Sequence, residues 1–231
     1  DYAYGIAQSG DSIIVDAGSY NLAGATLSLS KSVVFLGTNY LVSPNDPANK
    51  LLVNTARHSE SIISNGKFSI ASNGISFEGF TMDLGNGTAV ELVNTAVTNN
   101  DFGNFKSAKN ILKITNTTAN LNLFSITGKF VSSPNMPQTS GYNISDNRFE
   151  KSGSATGNTL NFNYVKNIAV TGNSFVVIGT TFRTQQAANL GATGLVDVVS
   201  FSNNVVSQAS SAVGGNRIAT AVKQYYRDHG S

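Results

Sequence analysis

Val170-Thr171-Gly172-Asn173-Ser174-Phe175 is one copy of a motif that recurs along most of the chain: an apolar residue, a small hydroxyl, Gly/Asn/Asp, Asn, any residue, an apolar residue. Val97 to Phe102 (VTNNDF), Ile144 to Phe149 (ISDNRF) and Phe201 to Val206 (FSNNVV) fit it throughout. Two copies are looser: Ile126 to Val131 (ITGKFV) has Lys129 in the Asn slot, and Phe77 to Met82 (FEGFTM) has Glu78 and Phe80 in the hydroxyl and Asn slots. First positions lie 20, 29, 18, 26 and 31 residues apart, so a constant unit is joined by connections of variable length.

A fixed extended unit recurring every 20 to 30 residues or so reads as an all-β solenoid in which each repeat is one coil and equivalent residues stack in columns. The third column (Gly79, Asn99, Gly128, Asp146, Gly172, Asn203) holds only residues that accept a left-handed backbone, which predicts a bend between two short strands. The fourth column is Asn at positions 100, 147, 173 and 204. A side-chain amide has both a donor and an acceptor, so stacked Asn residues can serve the bend's inward-turning main chain and one another. The flanking apolar columns point into the core.

Composition agrees with many short strands. Only 12% of residues are charged, 40% are hydrophobic, and the chain has 22 Gly and 28 Asn. A net charge of +2 argues against nucleic acid as a partner. The absence of cysteine excludes disulfides and thiolate metal sites. No apolar run is long enough for membrane insertion, and no signal peptide pattern opens the chain at Asp1, a start compatible with a processed or excised segment.

Two early segments carry a family likeness: Gly10-Asp11-Ser12-Ile13-Ile14-Val15-Asp16-Ala17-Gly18-Ser19-Tyr20, and Leu27-Ser28-Leu29-Ser30-Lys31-Ser32-Val33-Val34-Phe35-Leu36-Gly37. Together they resemble the opening coils of bacterial right-handed parallel β-helix proteins of the pectate-lyase-like superfamily. The likeness continues through Arg57, Glu60, Ile62 and Ile63 to Gly74–Phe80, covering about the first 80 residues by motif and the rest by repeat pattern. It implies a single-stranded right-handed parallel β-helix with short terminal capping helices. The expected organisation is one domain over 1–231, with an N-terminal cap at 1–9, coils at 10–215 and a C-terminal helix and tail at 216–231. Residues 38–60, with Pro44 and Pro47, read as a loop projecting from the first full coil.

The resemblance also raises polysaccharide lyase, epimerase and hydrolase chemistry. A lyase of this fold needs Ca²⁺ held by carboxylates of neighbouring coils and an Arg or Lys base. In this chain Glu78, Asp101 and Asp146 fall in different columns, and the hydrolase family's acidic motifs are missing. Asp146, Arg148 and Glu150 form the best local constellation and read as a solvated ion pair; Arg183 lies in a later excursion. His58 has no second His nearby, and Asp83 to Gly87 reads as a β-turn.

The remaining feature is the second column, Thr98, Thr127, Ser145, Thr171 and Ser202, opposite in parity to the inward apolar positions and so expected to project as an outward stripe of hydroxyls. The resulting expectation is a non-catalytic extracellular or cell-surface module for adhesion, glycan binding or self-assembly, its partners being glycan or other copies of itself. It needs no cofactor, with Ca²⁺ kept as a possibility through the resemblance. The alternatives are a lyase or epimerase acting on acidic polysaccharide, and a phage tail-spike fragment.

Overall fold

The computed structural model describes residues 2–83, 90–93, 105–114, 124–127, 141–152, 160–163, 165–178, 188–190 and 196–206. They form one short helix, α1 (Tyr2–Ile6), and strands in three parallel sheets. Sheet A contains β1 (Ser12–Val15), β4 (Val34–Gly37), β7 (Ser76–Glu78), β10 (Lys106–Ala108), β13 (Tyr142–Ser145), β16 (Val165–Thr171) and β19 (Val196–Ser202), in that order. Sheet B contains β2 (Gly18–Asn21), β5 (Ser61–Ser64), β8 (Thr81–Asp83), β11 (Ile111–Ile114), β14 (Arg148–Ser152), β17 (Ser174–Ile178) and β20 (Val205–Val206). Sheet C contains β3 (Thr26–Leu29), β6 (Lys67–Ile70), β9 (Val90–Val93), β12 (Phe124–Thr127), β15 (Leu160–Asn163) and β18 (Ala188–Leu190). Each sheet therefore takes every third strand of the chain.

From the third round on, the step from sheet A to sheet B is a bend of constant form. Its left-handed residue is Gly79 (φ 78°), Lys109 (54°), Asp146 (51°), Gly172 (72°) or Asn203 (56°) in successive rounds. Gly79, Asp146, Gly172 and Asn203 are where the motif puts them; Lys109 was not read from sequence. Asn99 and Gly128 lie outside the described residues.

The residue after the bend carries the asparagine ladder. Asn173 accepts the Asn147 N–H at 2.8 Å and donates through Nδ2 to the Ile144 carbonyl at 2.8 Å. Asn147 does the same for the Asn110 N–H (3.1 Å) and the Ser107 carbonyl (2.8 Å). Asn204 serves the Asn173 N–H (2.9 Å) and the Val170 carbonyl (2.8 Å). Asn110 begins the series on the Phe80 N–H (2.9 Å) and the Phe77 carbonyl (2.7 Å). Each Asn thus caps the bend of the preceding round, over separations of 30, 37, 26 and 31 residues. Asn110, Asn147 and Asn173 are fully buried. Asn100, expected in the ladder, lies outside the described residues.

Alternation along the strands fills the interior. Phe35, Phe77, Ile144, Val170 and Phe201 point inward from sheet A, and Ile63, Met82, Leu112, Phe149 and Phe175 from sheet B. Register stacks like on like: the Phe35 and Phe77 rings lie 5.0 Å apart and 9° from parallel, as do Phe149 and Phe175 at 5.0 Å and 14°. At the N-terminal end Tyr4 of α1 lies over Phe35, and Lys31 Nζ donates to the carbonyls of Tyr4, Gly5 and Ala7, satisfying the last turn of the helix. The C-terminal helix expected at 216–231 lies outside the described residues.

Residues 38–60 do not project as expected. They lie as a strap along the bend and across the outer side of sheet B, where the outward residues Thr81, Arg148 and Ser174 are buried although their strand neighbours fill the core. At the start of the strap, a Cβ on Gly79 would sit 2.1 Å from the Tyr40 nitrogen, so the strap's main chain approaches the bend as closely as glycine allows.

Replacing Asn173 with Leu leaves the Asn147 N–H and the Ile144 carbonyl buried without partners, at about 1 to 3 kcal/mol each. We expect a clear fall in the thermal midpoint followed by circular dichroism; an unchanged midpoint would remove the ladder as a stabilising element.

Candidate functional site

Two outward columns run along sheet A. In the column beside the bend, Glu78 is aligned with Ala108, Ala108 with Ser145, Ser145 with Thr171, and Thr171 with Ser202. The second column contains Ser76, Lys106, Asn143, Ala169 and Ser200. Strand spacing places successive members about 4.8 Å apart. The surface is small-chained and polar, with Asn143, Ser200 and Ser202 exposed and Ser145 and Thr171 half-buried.

Three of the five residues expected in the stripe, Ser145, Thr171 and Ser202, are therefore brought together. Thr127 is not among them: it ends β12 in sheet C, paired with Asn163 and Val93. An alternating strand looks alike in any sheet, and that copy has Lys129 rather than Asn in its fourth slot. Thr98 lies outside the described residues. The repeat that does fill the place is Ser107-Ala108-Lys109-Asn110-Ile111-Leu112. Its Asn and two apolar residues are regular, but Ser107 takes the first apolar slot and Lys109 the bend. Buried Ser107 is accommodated because its hydroxyl donates to Asn147 Oδ1 (3.2 Å) and accepts from Asn110 Nδ2 (3.1 Å).

Charges near this face are engaged with one another. Glu78 Oε1 receives Lys106 Nζ at 2.8 Å and the Ser76 hydroxyl at 2.8 Å. The Arg148–Glu150 pair is not solvated as expected: the arginine side chain is 5% exposed, its Nε donates to Glu150 Oε1, and its Nη1 donates to the Leu51 carbonyl of the strap at 3.1 Å. Asp146 Oδ1 accepts the Ser43 hydroxyl at 2.7 Å. Among the described residues, no three His, Asp or Glu side chains come together. Arg183 lies outside the described residues.

The neck of the strap is closed by Arg57, buried, whose Nε and Nη2 meet the two oxygens of Glu60 at 2.7 and 2.8 Å. Asn39 pairs with the main chain of His58 across the same neck, and Thr81 donates to Glu60 at 3.0 Å. Burial pushes the Glu60 carboxyl up, but the hydrogen bonds and charge of Arg57, with those of Thr81 and Asn39, outweigh it and hold the group below its ordinary value of 4.5.

A cavity of about 850 Å³ opens beside α1, lined by Tyr4, Leu22, Leu27, Phe35, Phe68 and Phe77 among others. Its lining is mainly apolar, with Asp16, Tyr20 and Ser28 among its polar members; the Tyr4 hydroxyl already accepts the N–H groups of Ser30 and Lys31.

Compared with protein-family models, with curated proteins and with solved structures, the chain matches none.

A carboxylate held below its ordinary value stabilises the fold above that value and loses the contribution as pH falls through the depressed one. We expect stability to decline with pH below about 4.5, and Glu60→Gln to flatten that acid limb while lowering stability at neutral pH. The check is chemical denaturation between pH 7 and 3; parallel curves for the two proteins would contradict it.

Proposed function

We propose that this chain is a right-handed parallel β-helix of the pectate-lyase-like type, serving as a non-catalytic extracellular or cell-surface module that binds glycan or other copies of itself through the outward face of sheet A. The observation that supports this reading is the register of Ser145, Thr171 and Ser202 in one outward column beside Asn143, Ala169 and Ser200 in the next, which sets small polar and methyl side chains at a fixed repeat. Such a surface suits a repetitive partner, because each contact is weak and the sum over several rounds is not. The Lys106–Glu78 pair neutralises the charge at one end of it.

The lyase alternative would use an arginine as base beside metal-held carboxylates. Arg148 instead has its Nε and Nη1 committed to Glu150 and to strap carbonyls. This favours recognition over chemistry.

The test is to change Ser145, Thr171 and Ser202 together to Lys, adding bulk and like charge at outward positions. The fold should survive, since outward substitutions away from packed features shift stability by about 0.5 kcal/mol or less. Retention on a glycan array, or self-association in sedimentation, should be lost in the triple variant and nearly unchanged in each single variant. Undiminished binding with intact fold would return this face to plain strand chemistry.

A further inference from the structure

We infer that residues 38–60 form a releasable clasp, gripped by two arginines that are each oriented by a glutamate, which opens while the three sheets remain folded. The two grips share one design. Arg57 gives Nε and Nη2 to Glu60, leaving Nη1 for the carbonyls of Val42 (3.0 Å) and Lys109 (2.9 Å). Arg148 gives Nε to Glu150, leaving Nη1 for the carbonyls of Leu51 (3.1 Å) and Lys50 (3.5 Å). In each, the carboxylate fixes the guanidinium plane and the free corner joins strap to sheets: Arg57, itself in the strap, reaches the Lys109 carbonyl at the bend, and Arg148, in β14, reaches the strap's main chain. Further holds are Ser174 Oγ to the Lys50 carbonyl (2.6 Å), Lys109 Nζ to the Tyr40 carbonyl (3.3 Å), and Ser43 and Asn45 to Asp146 and the Asn147 carbonyl.

Three features make this segment separable from the rest. The strap adds no strand to any sheet, its own ladder being the single Asn45–Val53 bridge, so releasing it breaks no sheet pairing. Its outer side leaves Leu41, Leu52 and Val53 exposed, so its apolar burial is modest. Asn45 Oδ1 is buried with no hydrogen-bond partner, a cost carried only while the strap is closed. A segment held mainly by polar contacts and little apolar area opens at lower free energy than the core. Opening uncovers the column Thr81, Ile111, Arg148 and Ser174 on the outside of sheet B, a surface separate from the sheet A face, so the clasp does not depend on what that face binds.

The test is the double variant Glu60→Gln, Glu150→Gln under trypsin, reading cleavage after Lys50 by mass spectrometry beside the far-ultraviolet circular dichroism of the whole chain. Cleavage tracks the population of the open form when opening is fast. We expect the Lys50 cut to quicken at least about tenfold, from the weakening of charge-assisted bonds at both grips, while the β spectrum is retained. Cleavage at the wild-type rate, or only in step with loss of the β spectrum, would overturn the clasp. If the variant does not fold, amide exchange in the unaltered protein decides: Asp46, Leu52 and Asn54, bonded within the strap, should exchange well before the bend amides of Asn147 and Asn173. Equal protection would overturn it.

Discussion

The bends at Gly79, Lys109, Asp146 and Gly172 turn main-chain polar groups toward an interior that has no water to receive them, and an asparagine from the next round receives them. The Asn110, Asn147, Asn173 and Asn204 side chains each take one N–H and one carbonyl. Because each asparagine serves the round before it, the interaction fixes which residues stand in register, and the aromatic stacks follow from that register. It also fixes the seat of the strap, since the Asn147 carbonyl and the Asp146 carboxylate that receive Asn45 and Ser43 belong to the same bend. Connections elsewhere in a round vary in length without disturbing any of this.

The sequence made this part of the molecule legible because its chemistry is restrictive. Few residues tolerate a left-handed backbone, and Asn is almost alone in offering a donor and an acceptor on so short a stem. Legibility failed where chemistry was permissive. Lys109 occupies a bend at modest steric cost, Ser107 is tolerated inside because two asparagines bond its hydroxyl, and Thr127 obeys an alternation common to all three sheets. The strap was read as a projecting loop because its holds fall chiefly on carbonyls, which every residue has. Only the outward arginine at position 148, placed in a column with Thr81, Ile111 and Ser174, hinted that something covers the outside of sheet B.

Scarce charge is deployed inward as much as outward. The Arg57–Glu60 and Arg148–Glu150 pairs use arginines at most 5% exposed to hold main chain rather than to meet solvent. The candidate face, by contrast, presents hydroxyls, amides and methyls beside one neutralised pair.

The strap also sets an order of events along the chain. Its holds link positions separated by 97 to 124 residues, joining Lys50 and Leu51 to Arg148 and Ser174. During synthesis the strap is complete long before its seat exists, because the later strands must first be laid down and the bends capped. Pairing of adjacent rounds closes comparatively short loops, whereas seating the strap closes the longest one described, a step whose entropic cost grows with loop length. The nascent chain therefore carries this fastening unfastened until Arg148 and Ser174 are in place.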